Sequence, residues 1–139
     1  MRLSVTTPQG SLVDADVDEV TAPGALGEFG ILPGHIPFMS ALKPGVLVFR
    51  IKNESRVFAV GEGVLQVSRV EGGGEKVIVL VHQAVPAEEV NREAANKEVV
   101  EADAKLAAWK GELGGEYDAV VVARAWAQAR VDAAARRAH

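Results

Sequence analysis

The pattern of apolar and polar positions changes character once along the chain. Up to about residue 85 it has a period of two. Val13, Ala15 and Val17 alternate with Asp14, Asp16 and Asp18, Phe49 and Ile51 with Arg50 and Lys52, and Leu65 and Val67 with Gln66 and Ser68. Such alternation puts apolar groups on one face of a strand. The phase slips at Asp18-Glu19-Val20, which predicts a β-bulge. Val77-Ile78-Val79-Leu80-Val81 has no alternation, which predicts a strand buried on both faces. Asn53-Glu54-Ser55 supplies a turn before 57–60, and Gly72-Gly73-Gly74 a hairpin turn between strands over 64–70 and 76–82. Many short strands punctuated this often predict an antiparallel sandwich or barrel.

From Ala87 onward the period becomes that of a helix. Val99, Ala102, Leu106 and Trp109 are spaced along one helical face. They predict a helix over 87–110, about 36 Å long, with Pro86 in its first turn. Gly111, Gly114 and Gly115 end it. A second helix over 117–137 carries Val120, Ala123, Ala127, Val131 and Ala134 on one face, and Trp126 lies off that stripe as a candidate contact residue. The short connection predicts an antiparallel helical hairpin. All six prolines lie at or before Pro86, and eleven of fourteen glycines lie before residue 80. We therefore divide the chain into a β-sandwich over 1–85 and a helical hairpin over 86–139. Alanine stripes approach closely but bury little area, so the hairpin is expected to come apart, or to leave the sandwich, at modest cost.

Composition narrows the function. The 139 residues are 48% hydrophobic and 24% charged, as in an ordinary globular protein. A net charge of −4 disfavours nucleic-acid binding. No apolar run is long enough for a membrane-spanning helix, and the opening Met1–Pro8 is too short and polar for a signal peptide. The absence of cysteine removes disulfides and thiolate chemistry. Charge is uneven in the second half: residues 86–116 carry four basic and eight acidic side chains, residues 117–139 four basic and two acidic. Arg124, Arg130, Arg136 and Arg137 can pair within the hairpin or dock on an acidic partner surface.

Catalytic and metal patterns fail on inspection. A calcium loop starting at Asp14 needs glycine sixth and glutamate twelfth, but Glu19 and Ala25 stand there. Gly61-Glu62-Gly63 lacks the third glycine and helix of a dinucleotide loop, and no phosphate-loop Gly-Lys-Ser/Thr exists. His35, His82 and His139 have no metal-ligand spacing. No serine sits in a nucleophile elbow. The sequence points to a non-catalytic protein without metal or cofactor.

The densest feature is Gly27-Glu28-Phe29-Gly30-Ile31-Leu32-Pro33-Gly34-His35-Ile36-Pro37-Phe38, continuing to Lys43-Pro44-Gly45. Four glycines and three prolines between Gly27 and Gly45 rule out a helix or a long strand. This run resembles the Gly-Glu-Leu-Gly-Ile-Leu-Pro-Gly-His-Ala-Pro segment of the epsilon subunit of bacterial F-type ATP synthases. The resemblance extends through Leu3-Ser4-Val5-Thr6-Thr7-Pro8, Val20-Thr21-Ala22-Pro23-Gly24 and Gly63-Val64-Leu65-Gln66-Val67, over nearly the whole chain. It implies a fold of about ten short strands in a sandwich followed by two helices. It implies a rotor subunit at the foot of the central stalk that binds gamma and the c-ring loops, couples proton flow to ATP synthesis, and restrains ATP hydrolysis through its helices. It would sit peripherally on the cytoplasmic face of the cell membrane, attached only through the complex.

Carried over by residue, the resemblance implies that Glu28, Phe29, Ile31, Pro33 and His35 form the c-ring and gamma interface, Glu28 pairing with loop cations. It implies that Arg124, Arg130, Arg136 and Arg137 press on the beta subunit of the alpha/beta head. The nucleotide pattern of some members maps weakly onto Glu89 and Arg92. Glu93 stands in place of an alanine and Val99 in place of a second arginine, which predicts weak or no ATP binding. The alternative is a stand-alone ligand-binding β-sandwich module with a helical arm, which calls for a concave pocket with convergent polar groups.

Overall fold

The computed structural model describes residues 1–137, so His139 lies outside the described residues. Ten strands precede two helices: β1 (Arg2–Thr7), β2 (Gly10–Asp16), β3 (Glu19–Gly24), β4 (Gly27–Ile31), β5 (Phe38–Leu42), β6 (Gly45–Ile51), β7 (Glu54–Val60), β8 (Gly63–Arg69), β9 (Glu75–Val81), β10 (Ala84–Pro86), then α1 (Arg92–Ala107) and α2 (Gly115–Arg137). One layer runs β4-β3-β6-β7-β10 and the other β5-β8-β9-β1-β2. They join at a single bridge, Gly24 to Leu42. Pairing is antiparallel except between β1 and β9, which are parallel. Leu3, Val5, Leu65, Val67, Val77 and Val79 of one layer meet Val20, Ala22, Ile31, Leu47, Phe49 and Val60 of the other in the core.

The turns show why the sequence folds here. Lys52-Asn53 closes β6–β7 in two residues, and Lys52 adopts φ 57. A two-residue hairpin needs that left-handed geometry, and the Asp18 carboxylate steadies it by accepting the Lys52 N–H at 2.8 Å. Gly72, Gly73 and Gly74 all have positive φ, as the β8–β9 hairpin requires. Gly63 packs so closely that a Cβ there would lie 2.0 Å from the Leu80 carbonyl oxygen.

The slip at Asp18-Glu19-Val20 falls where the chain leaves β2 and crosses to β3 in the other layer. There the Asp18 N–H donates to the Arg50 carbonyl at 2.8 Å while Glu19 is also paired with Arg50, the two-against-one arrangement of a bulge. A register shift also occurs between Val5 and Thr6. Other expectations change. β9 is not buried on both faces: Val77, Val79 and Val81 are core, while Leu80 is 53% exposed, because among the described residues no element covers that side. The first helix starts later than expected. Ala87–Glu89 form a single 3-10 turn and Val90 is extended. Asn91 then caps α1, its side chain accepting the Ala94 N–H at 3.0 Å.

The arm is seated by small residues. A second apolar cluster joins Ala59 and Ala87 to Ala129 and Ala133 of α2, flanked by Val46, Val57, Val85 and Trp126. Trp126, off the predicted stripe, thus packs against the sandwich. α2 lies over β6 and β7, and α1 packs on α2 through Ala95, Ala102 and Ala127. Ala123, expected in the seam, is exposed and lines a hollow of about 280 Å³ between the helices. Trp109 closes the hairpin tip, edge-on to Tyr117 at 5.5 Å.

Candidate functional site

The glycine-proline run builds one side of the sandwich. Two-residue alternation along β4 sends Phe29 and Ile31 inward and Glu28 and Gly30 outward. Phe29 meets Phe38 of β5 edge-to-face at 5.3 Å, and His35 lies 5.2 Å from Phe38. These rings plug the opening between the two layers. His35 Nδ1 lies 2.8 Å from the Ile36 carbonyl oxygen. A carbonyl only accepts, so Nδ1 holds the proton and donates it within the loop. The Gly34 N–H donates to the Glu75 carboxylate, which ties the loop to the start of β9. A groove of about 640 Å³ runs between β4 and β5, with Phe29, Phe38, Met39 and Ile36 on its walls and Glu28 supplying its negative charge.

Of the residues expected at an interface, Glu28 and Pro33 are exposed and Phe29 and His35 half-buried. Ile31 is not available: it is 0% exposed in the core. It alternates with Gly30, and only one of the two can face out. The exposed apolar side chains that a reading of the loop overlooked are Leu26 at the β3–β4 turn, 106% exposed, and Leu32 and Ile36 in the β4–β5 loop. Leu26 follows Ala25 between two glycines, a turn position where a large apolar group has no packing reason to be.

A second apolar surface lies on the outer face of the β5-β8-β9-β1 layer. Cross-strand register sets Ala41 beside Val64 and Val64 beside Leu80, with Met39 one step along β5 on the same face. Met39, Val64 and Leu80 are 63%, 39% and 53% exposed. It faces away from the layer that α2 covers.

The four arginines of α2 are each within ion-pair reach of a carboxylate. Arg124 donates to Asp103 and Arg130 to Glu98, both at 2.8 Å, across the hairpin. Arg136 lies 3.5 Å from Glu28, and Arg137 4.0 Å from Glu88. The hydrogen bond from Arg130 holds the Glu98 carboxyl below its ordinary value. Arg130 also sits 5.4 Å from the centre of the Trp126 ring, with its Nε buried and unpaired. Glu89 lies in the 3-10 turn and Arg92 opens α1; both are exposed, and neither forms an ion pair among the described residues. Asp14 and Asp16 bind Arg2 as outward strand residues, the Arg2 guanidinium drawing the Asp14 carboxyl down. Among the described residues no cluster could hold a metal ion. Nor, among the described residues, is any helix long and apolar enough to cross a membrane.

The fold is thus a β-sandwich with a plugged open side and two exposed apolar surfaces, carrying an alanine-seated helical arm. The chain belongs to the ATP synthase delta/epsilon chain family: residues 1–87 match the family described as ATP synthase, Delta/Epsilon chain, beta-sandwich domain. Within that family it is similar to bacterial ATP synthase epsilon chains. It is 38% identical to that of Geotalea uraniireducens over 76% of this chain and 73% of the relative. It is 35% identical to that of Nitratidesulfovibrio vulgaris over 94% of both. Its fold is like a chain in the Euglena gracilis mitochondrial ATP synthase structure with OSCP, F1 and c-ring (TM-score 0.77, 23% identity, 98% of this chain and 79% of that one). A chain of the Tetrahymena thermophila mitochondrial ATP synthase central stalk and c-ring structure is also similar, at TM-score 0.61 and 17% identity over 100% of this chain and 96% of that one.

Proposed function

We propose that the chain is a non-catalytic rotor subunit of the central stalk, joining gamma to the c-ring and restraining ATP hydrolysis through its helices. The observation that carries this reading is the uncovered row of Ala41, Val64, Leu80 and Met39. What sets these residues apart from the exposed apolar side chains elsewhere, such as Leu12 and Leu113, is that the strand register makes them contiguous on one sheet face, and a contiguous apolar patch points to a partner. We assign this face to gamma. The β4–β5 side, with Glu28, Phe29, His35 and Pro33, is assigned to the c-ring loops, where Glu28 can take a cation. This puts the protein at the cytoplasmic face of the cell membrane, held there by the complex.

The arm fits a brake. Its seat is built from alanines, so lifting it costs little apolar burial. Lifting it would release Arg136 and Arg137 from Glu28 and Glu88, and opening the hairpin would release Arg124 and Arg130 from Asp103 and Glu98, for the beta subunit. Glu89 and Arg92, exposed and without a further cation supplied by Val99, fit weak or no ATP binding. The groove beside β4 is open and shallow in polar groups, which disfavours the stand-alone ligand-binding module.

The test is ATP hydrolysis by a reconstituted alpha–beta–gamma complex with the full chain and with a chain ending at Glu89. Suppression by the full chain alone, with both forms bound, is the expected result. Leu80→Glu should abolish binding of both forms. Equal suppression by the two forms would refute the brake, and undiminished binding of Leu80→Glu would refute the gamma assignment.

A further inference from the structure

The backbone of β4 carries information that its side chains do not. Among the described residues β4 pairs with β3 alone, so its other edge is open. Register places Pro23 opposite Glu28. The Pro23 carbonyl accepts the Lys43 N–H at 3.0 Å, and proline has no N–H to offer. Pro23 and Glu28 are therefore a non-hydrogen-bonded pair, and the N–H and C=O of Glu28 point to the open edge. The period of two sends those of Gly30 the same way. β5 faces the same groove: the Ala41 carbonyl accepts the Ala25 N–H at 2.9 Å, so Met39, two residues back, also turns its backbone away from β8.

Other edges are guarded and this one is not. β2 carries the exposed Asp14 and Asp16, and β10 is three residues long and ends in Pro86. Charge, shortness and proline are the usual devices against strand pairing. β4 reads Gly-Glu-Phe-Gly-Ile: two glycines leave room beside the backbone, and a single carboxylate provides the charge.

We infer that the open edge of β4 takes an extended segment of a c-ring loop by strand addition, with apolar residues alternating along it and a basic side chain opposite Glu28. The inward residues would rest on Phe29, Phe38 and Ile36, and the outward basic one would meet Glu28. Alternate side chains of an added strand occupy such positions while main-chain hydrogen bonds hold it. A basic side chain suits this place because Glu28 already pairs with a guanidinium, that of Arg136 at 3.5 Å. A partner cation would compete with Arg136, so docking here would loosen the end of the arm. The inference rests on the stalk reading.

The test is amide hydrogen exchange of the full chain, alone and assembled with gamma and the c-ring. Strand addition should slow the Glu28 and Gly30 amides about 100-fold or more on assembly. Gly30→Pro removes an outward N–H and leaves the pairing to β3, and the nearest atom to a Cβ there is the Val20 carbonyl oxygen at 3.9 Å. It should weaken assembly about tenfold, while Gly30→Ala, which keeps the N–H, should assemble like the parent. Glu28→Gln should weaken assembly and reduce its salt dependence. Assembly with these amides still exchanging at free-chain rates would overturn strand addition and leave the stalk reading intact. Failure of the chain to assemble with either partner would overturn both.

Discussion

Replacing Ala133 by leucine should lift the arm without unfolding the sandwich. Ala133 is 0% exposed, and it packs with Ala59, Ala87 and Ala129 in a cluster separate from the sandwich core. Four buried methyl groups contribute about 3 kcal/mol at ~0.8 kcal/mol each. The exposed Arg136–Glu28 and Arg137–Glu88 pairs add at most a fraction of that. Overpacking a filled site costs about 1–3 kcal/mol, comparable with the whole seat. The released fraction should rise by a factor of about 5 to 150. Amide exchange of the isolated chain reads this directly: amides of α2 should exchange faster by that factor, while those of β1, β8 and β9 stay protected. Unchanged α2 exchange would refute the idea that these alanines seat the arm. Simultaneous loss of protection in β8 and β9 would refute the independence of the two clusters.

Gly63→Ala should act in the opposite place, since its Cβ would meet the backbone of Leu80 and Val81. Neither can yield without opening β8 from β9, and the thermal midpoint of the sandwich should fall by an amount equivalent to about 3 kcal/mol; an unchanged midpoint would show that the hairpin shifts freely. Acid should loosen the hairpin through Glu98. Its carboxyl is held below its ordinary value of 4.5 in the folded arm, so the contribution of the Arg130 bond is complete above that value. It fades as pH falls through the lowered one. Exchange of α1 amides should accelerate as pH falls below the ordinary carboxyl value of 4.5, and Glu98→Gln should flatten that acid limb; an unaltered limb in the variant would assign it to other carboxylates.

The two-part fold could be read from the sequence because both periods are strong. Val13–Val17 and Leu65–Ser68 alternate cleanly, and the change to helical spacing after Pro86 is abrupt. The misreadings share a cause: local pattern does not report which layer lies next door. Val77–Val81 reads as doubly buried, yet Leu80 is 53% exposed. Ile31 sits in a run suited to a surface loop, yet the β4 phase turns it into the core. The late start of α1 was equally hidden, because Asn91 competes as a cap with a run of good helix formers. At the candidate site, Glu28 and the α2 arginines could be picked out one by one. Their meeting could not, because Arg136 reaches Glu28 across more than a hundred residues of chain.

The alanine seat sets a thermal property of the arm. Heat-capacity change follows the oily area exposed, and the seat hides little of it: small methyls at the centre, with Val46, Val57, Val85 and Trp126 only partly covered even when the arm is down. Lifting the arm therefore changes the heat capacity far less than unfolding the sandwich does. Its balance between seated and raised should follow a nearly straight van't Hoff line, so the arm would respond to binding partners much more than to temperature.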